Sequence, residues 1–308
     1  TQTRAEIEAL LPEIEIAAGR FPQELIPQAP ALRWLQQWGA GADWLLAHPD
    51  VQELDFILTN ASGVHAVPIS EHIFSLLLAF ARRLPDAVRA QDERVWIGNR
   101  WQKAHGTSIA ADQKYLADFD KNDLFELHGQ TLLIAGMGAI GARTARLAQA
   151  FDMRVIGMRR NTGEPAPGVD RLIGPEELIE TLPDADVVVN ALPLTAATQH
   201  LFDAQAFAAM SDHAGYITIG RGGTTDEAAL IDALQGGAIA WAGLDVFESE
   251  PLPPDSPLWS LATVLITPHY SGLTPAYDTR ALAIFLDNLE RYQRGEPMRN
   301  VVDKRLGY

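Results

Sequence analysis

The chain has 308 residues, 47% of them hydrophobic, which is long enough for two domains of ordinary size, each with its own core. Its 40 acidic against 24 basic residues leave a formal charge of −16, which repels nucleic-acid backbones and anionic lipid, and no basic patch or apolar run of membrane length offsets it. Nucleic acid and membrane are therefore not expected partners, and the absence of cysteine removes disulfides, thiol nucleophiles and thiolate metal sites. No signal peptide is read at the start, so the cytoplasm is the expected address. The chain opens at Thr1 without a methionine and runs directly into TRAEIEALL, which suggests that native residues are missing upstream.

Up to about residue 100, short apolar runs (EIEIAAG, LRWLQQWGAG, DFILTNASG) alternate with turn residues and predict a small α/β unit. Ile69, Ile73, Leu76, Leu77, Phe80 and Leu84 then recur at helical spacing, predicting a buried helix between domains, with Ser70 as its cap and Pro85 as a kink. Residues 97–128 are polar and aromatic with weak periodicity, and read as an inserted loop or dimer arm. From Gly129 onward the runs TLLIA, MRVIG, DVVVNA, GYITIG, WAGLDVF and TVLIT alternate with helical segments, the pattern of a doubly wound parallel sheet. A last helix over roughly 276–294 leads into the tail NVVDKRLGY, which is expected to cross back to the first unit. The expected division is 97–281 for the larger domain and 1–96 plus 282–308 for a discontinuous smaller one.

The first chemical signal is TLLIAGMGAIGARTARLAQAFDMRVIGMRR, with Gly136, Gly138 and Gly141 spaced as G-x-G-x-x-G between a strand and a helix that leads to a second strand. Gly136 permits the tight turn, Gly138 lets the backbone approach a pyrophosphate, and Gly141 lets helix and strand pack closely. The amides of the helix start, at Ala139 and Ile140, then face the phosphates. Ile140, Thr144, Leu147 and Phe151 form the expected buried stripe of that helix. At the end of the second strand, where an acidic residue accepts from a ribose 2′-hydroxyl in NAD enzymes, stand Arg159 and Arg160. Two guanidinium groups there fit a 2′-phosphate, so NADP(H) is the expected cofactor with NAD(H) as second choice; the competing reading is a solvated cationic strand end.

Three later strands each end in a candidate reactive group: Arg221 after ITIG, Glu250 after LDVF and His269 after VLITP. Taken singly, each has a plain structural reading, as a surface ion pair, a solvated loop carboxylate or a turn histidine. Parallel strands, however, bring their carboxyl ends to the edge that also carries the glycine loop. The eight histidines show no spacing typical of zinc ligands, and no metal is expected.

The stretches IGRGGTTDEAAL, AGLDVFESEPLPPDSPLW and VLITPHYSG, with WGAGADWLL and TNASGVHAVPISEH earlier, resemble the D-isomer-specific 2-hydroxyacid dehydrogenase family over nearly the whole chain. The tail VDKRLGY and PLPPDSPLW are most similar to its glyoxylate/hydroxypyruvate reductase branch. The resemblance implies a Rossmann domain with a second, smaller flavodoxin-like α/β domain, and NAD(P)-dependent reduction of a small 2-oxo acid to its D-2-hydroxy acid. It further implies that Arg221 binds the substrate carboxylate, His269 is the acid/base and Glu250 pairs with it. Asp245 is to accept from the nicotinamide carboxamide, and the amides of Ala40, Gly41 and Ala42 are to help hold the substrate. The loop Asn190–Pro193, with Leu192 and Pro193, is expected beside the cofactor, and Glu71 and His72 at the domain junction. The family usually forms dimers through the cofactor domain, which makes a homodimer the expected assembly.

Glu250 stands where formate dehydrogenases carry glutamine, which argues against that activity. Phosphite dehydrogenase stays open, although Trp38 and Trp44 suit an organic substrate at least as well. So does a cofactor-sensing corepressor with a similar triad, although the chain lacks long disordered tails.

Overall fold

The computed structural model describes residues 3–94 and 124–307, so most of the insertion expected at 97–128 lies outside the described residues. Two parallel sheets organise the rest. The smaller has the order β1-β2-β3, from β1 (Ile16–Gly19), β2 (Trp34–Gln37) and β3 (Ile57–Thr59). The larger contains β4 (Thr131–Ala135), β5 (Arg154–Met158), β6 (Arg171–Ile173), β7 (Val187–Asn190), β8 (Gly215–Thr218), β9 (Trp241–Leu244) and β10 (Val264–Ile266). Its order is β10-β9-β8-β7-β4-β5-β6, with every pair parallel.

Every residue of β4, β7, β8 and β9 is buried, because helices cover both faces of a parallel sheet and no face is left for polar residues. The six runs expected as strands all form. The seventh, β6, escapes sequence reading because RLI is short and begins with an exposed arginine; as an edge strand it pairs only with β5. Strand order reverses between β4 and β7, which opens a crevice at their carboxyl ends.

The helices in chain order are α1 (Arg4–Leu10), α2 (Pro49–Gln52), α3 (Ala66–Ala81), α4 (Leu84–Glu93), α5 (Ala139–Ala150), α6 (Leu178–Thr181), α7 (Ala204–Ala209), α8 (Glu227–Gly236) and α9 (Tyr277–Arg294). The apolar face of α3 joins the core of the larger sheet, where Ile73 and Leu77 are fully buried. Each such side chain contributes about 1.5–3 kcal/mol. Ser70 does not cap this helix, which starts earlier, at Ala66; its hydroxyl donates to the Val67 carbonyl at 2.9 Å and accepts from Arg143 Nε at 3.1 Å. Nor does Pro85 kink it. The helix ends at Ala81, Arg83 turns left-handed (φ 51°), and Pro85 sits in the first turn of α4, where its missing N–H costs nothing.

Of the stripe expected for α5, Thr144 is buried, joined by Gly141, Ala145 and Ala148 rather than by Ile140, Leu147 and Phe151. Small side chains let α5 lie close to its neighbours, while Ile140 and Leu147 pack at the margin and Phe151 caps the end, stacked on Phe74 at 5.1 Å.

As expected, α9 returns to the smaller sheet. Phe285 and Tyr292 stack on buried Trp34 at 5.4 and 5.5 Å, and buried Asn288 donates to Gln36 Oε1 (3.2 Å) and the Arg299 carbonyl (3.0 Å). The tail then adds to β3, with the Val302 N–H on the Leu58 carbonyl at 2.8 Å and an antiparallel bridge between Thr59 and Val301. No helix among the described residues is long and apolar enough to cross a membrane.

Candidate active site

The glycine loop leaves β4 at the reversal of strand order. Gly136 has φ 104°, its N–H donates to the Met158 carbonyl at 3.1 Å, and a Cβ there would lie 2.8 Å from the Ala191 carbonyl oxygen. A Cβ on Gly141 would stand 2.2 Å from the Gly136 oxygen, so both positions exclude any larger residue. Gly138 differs: it is exposed, a Cβ there would meet no heavy atom within 4 Å, and as N-cap of α5 it offers no side chain to the amides behind it. Backbone donors of Ala139 and Ile140 thus begin a helix that faces open space.

The loop after β7 is braced from below by Asn190, which is fully buried. Its Nδ2 donates to Tyr216 Oη and Thr224 Oγ1, both at 2.8 Å, and its Oδ1 accepts from the Leu192 N–H at 3.2 Å. Burial pushes the Tyr216 hydroxyl well above the ordinary tyrosine range, so it stays neutral. Leu192 is buried and Pro193 exposed, its carbonyl accepting from Thr198 Oγ1 at 2.6 Å. Sequence reading singled out this loop but not the clamp; the signal was an amide side chain closing an otherwise apolar strand.

Arg159 follows β5 and is half-buried. One guanidinium nitrogen donates to the Glu164 carbonyl, while Nε is buried with no hydrogen-bond partner among the described residues. An unpaired buried donor costs about 1–3 kcal/mol, so the site is chemically incomplete for an acceptor. Arg160 beside it is exposed.

Arg221, Glu250 and His269 follow β8, β9 and β10, three adjacent strands of the larger sheet. His269 Nδ1 donates to Glu250 Oε2 at 2.7 Å, and Glu250 Oε1 accepts from the Phe247 N–H at 3.0 Å. The imidazole is therefore held by one nitrogen and turns the other outward, on a side chain that is 49% exposed. His269 has a left-handed backbone (φ 51°), and its N–H donates to the Asp245 and Thr267 carbonyls at 2.9 and 3.0 Å. Arg221 is half-buried, with one nitrogen on the Gly220 carbonyl at 2.9 Å and its own carbonyl accepting from Thr224 Oγ1 at 2.6 Å.

Asp245, expected to face a nicotinamide carboxamide, has no exposed surface, and its oxygens accept from Thr267 Oγ1 (2.6 Å) and the N–H groups of Tyr270 and Ser271 (both 3.1 Å). It secures the loop that carries His269. Since the Thr267 hydrogen goes to Asp245, His72 Nε2 donates to the same hydroxyl at 3.0 Å, tying α3 to that loop. Burial lowers the His72 pKa, opposed by the Asp245 carboxylate. Glu71 lies 3.8 Å from Arg143 on α5.

The carboxyl edges of the two sheets face each other. Asn60, after β3, donates to the Ala40 carbonyl at 2.7 Å; a Cβ on Gly63 would approach the Ala139 Cβ to 4.0 Å; and His65 Nδ1 donates to the Gly272 carbonyl at 2.9 Å. One short segment thus touches the loop after β2, the glycine loop and the loop after His269. The carbonyls of Ala40, Gly41 and Ala42 accept from Asn60, Gln37 and the Leu45 N–H respectively, while none of their own N–H groups donates to a described residue.

With this geometry in place, residues 74–271 match the model of the D-isomer specific 2-hydroxyacid dehydrogenase NAD binding domain. The chain is 34% identical over 289 residues to a glyoxylate reductase of Korarchaeum cryptofilum, covering 92% of this chain and 80% of that one. Among solved structures, an NADPH-dependent glyoxylate/hydroxypyruvate reductase of Sinorhizobium meliloti in complex with NADP and sulfate superposes with a TM-score of 0.80 at 29% identity, covering 99% of this chain and 90% of that one. A family member of Xanthobacter autotrophicus in complex with NADPH and MES gives 0.78 at 32% identity, covering 97% and 86%. The chain belongs to the D-isomer specific 2-hydroxyacid dehydrogenase family.

Proposed function

We propose that this chain is an NAD(P)-dependent oxidoreductase that reduces a small 2-oxo acid of the glyoxylate or hydroxypyruvate type to the D-2-hydroxy acid, with NADPH preferred. The observation that carries the reading is the 2.7 Å His269–Glu250 pair on the sheet edge that also bears Arg221 and the glycine loop.

The residues fit a dinucleotide: Gly138 fronts open space, the α5 amides lack a side-chain cap, and Arg159 Nε is buried without a partner among the described residues. Gly136, Gly138, Ala139 and Ile140 would hold the pyrophosphate, Leu192 and Pro193 would flank the cofactor, and Arg159 with Arg160 would take a 2′-phosphate. When bound, the nicotinamide supplies the hydride. Relatives solved with NADP or NADPH support the phosphorylated form.

Arg221 would grip the substrate carboxylate with its planar fork and fix which face of the ketone is presented. The amides of Ala40, Gly41 and Ala42 would add donors from the opposite edge. His269, protonated and held through Nδ1, would release its outer proton to the carbonyl oxygen as negative charge develops there, an effect worth about 10²- to 10⁴-fold. Glu250 would hold the imidazole in place through the bond to Nδ1. His269 must be recharged from solvent after each turnover, which its exposure allows.

The proposed division is 1–96 plus 282–308 against 97–281. The return of α9 and the tail to the smaller sheet supports it, with α3 as the element shared by both. A homodimer completes the reading, to be checked by sedimentation. Initial rates with glyoxylate, hydroxypyruvate, pyruvate and phenylpyruvate, each with NADPH and NADH, test the function. Turnover of the first two with NADPH is expected, and none with any of the four would overturn it.

A further inference from the structure

A cavity of about 400 Å³ opens at the carboxyl edge of the smaller sheet, between the loops that follow β1 and β2. Arg20, Phe21 and Gln23 form one wall, and Gln37, Gly41 and Trp44 the other. Gly41 belongs to the loop whose free amides face the proposed substrate site, and that loop is joined through Asn60 to the segment touching the glycine loop. The cavity thus shares Gly41 with the loop proposed to hold the substrate.

Its chemistry departs from the rest of the molecule. In a chain with 40 acidic and 24 basic residues, none of the described side chains lining this cavity is acidic, and one is an arginine. Gln37 is consumed internally: its Oε1 accepts from Trp44 Nε1 at 2.6 Å, and its Nε2 donates to the Gly39 carbonyl at 3.2 Å and to the Gly41 carbonyl. That network fixes the Trp44 wall and leaves the cationic charge to Arg20, which forms no ion pair with a described residue and is exposed at the strand end.

We propose that Arg20 is a specificity residue, and that this cavity receives the far end of a 2-oxo acid carrying a second anionic group. A substrate gripped at its carboxylate by Arg221 and the 40–42 amides would extend C3 and C4 into the cavity, where a second carboxylate meets the guanidinium. An uncharged branched chain of the same shape leaves Arg20 without a partner, although Phe21 and Trp44 still give it apolar contact. This inference rests on the reductase reading and refines its substrate.

The test compares oxaloacetate with 4-methyl-2-oxopentanoate, which replaces the distal carboxylate by an isosteric pair of methyl groups. With NADPH, the wild type should favour oxaloacetate in kcat/KM by at least about tenfold, equivalent to roughly 1.4 kcal/mol. Arg20→Gln should bring that ratio close to one, and Arg20→Lys should keep part of it, since the charge survives without the fork. A wild-type ratio near one, or a ratio unchanged by Arg20→Gln, overturns the proposal. Should no 2-oxo acid be turned over, the reductase reading itself has failed, and the cavity is judged by calorimetric titration of NADPH-loaded protein with D-malate and D-2-hydroxy-4-methylpentanoate. Tighter binding of D-malate that is lost in Arg20→Gln supports the cavity assignment, and equal affinities refute it.

Discussion

The two sheets meet at their carboxyl edges but are built differently. In the larger, four strands are buried at every residue, and each reactive side chain stands on a loop rooted in that rigid layer. The smaller has three strands, one beginning with Ile57 at 40% exposure, and it is steadied by polar bonds: Trp34 Nε1 on Thr59 Oγ1 (2.7 Å), Thr59 Oγ1 on Gln36 Oε1 (2.8 Å) and Asn288 on Gln36. The difference teaches a division of labour. On the proposed reading, chemistry needs atoms held to fractions of an ångström and sits on the heavier unit, while the lighter one would contribute backbone donors and the wall that selects the substrate.

Breaking the chemistry without touching the lighter unit gives the largest expected effect. His269→Ala should lower turnover by about 100-fold or more while NADPH affinity stays near the wild-type value, because the imidazole acts on the substrate. A variant that keeps more than about a tenth of wild-type turnover contradicts a general-acid role.

The converse variant is Asn288→Ala in the lighter unit. It strands the Arg299 N–H, which donates to Asn288 Oδ1 at 2.7 Å, and the Arg299 carbonyl, while Gln36 Oε1 keeps the Thr59 hydroxyl, and should cost about 1–3 kcal/mol for each group left unsatisfied. Denaturant unfolding should show that loss while kcat at low temperature holds. An equal fall in kcat would mean that the two units are not separable in this way.

Arg159→Asp sharpens the reading of the larger unit. The wild type should prefer NADPH over NADH by at least about tenfold in kcat/KM, and the variant should erase or reverse this, with the preference weakening in salt. Equal use of both cofactors by the wild type would reduce the arginines to a solvated strand end.

The smallest effect lies at the junction. Burial lowers the His72 pKa, so the unfolded chain takes up a proton near pH 6.5 that the folded chain resists. The stability contributed by neutral His72 is present above about pH 6.5 and is lost as pH falls towards the lower folded value. His72→Gln should flatten the dependence of Tm on pH between about 7 and 5. An unchanged slope would show that this histidine is not what titrates.

What could be read from the sequence follows from how local each signal was. The six long strands and the glycine loop were legible because parallel burial enforces continuous apolar runs and the turn admits only glycine, as the 2.2 Å approach at Gly141 shows. The placement of Arg221, Glu250 and His269 at one sheet edge followed from strand parallelism alone. β6 was hidden because an edge strand needs no apolar run, and Ser70 misled because its hydroxyl satisfies a carbonyl inside the helix as readily as it would cap one. The brace that Asp245 gives to the His269 loop was not legible, because it depends on Thr267, Tyr270 and Ser271, more than twenty positions away. The Arg20 cavity is likewise formed by two loops that no motif connects.

The central claim is that Arg221 and His269 present one face of a 2-oxo acid to a bound nicotinamide. The most direct measurement is the reduction of hydroxypyruvate with NADPH by the wild-type protein, followed by chiral separation of the product. D-glycerate alone is expected; no turnover by NADPH-loaded protein, or a product containing the L form in comparable amount, would contradict the account.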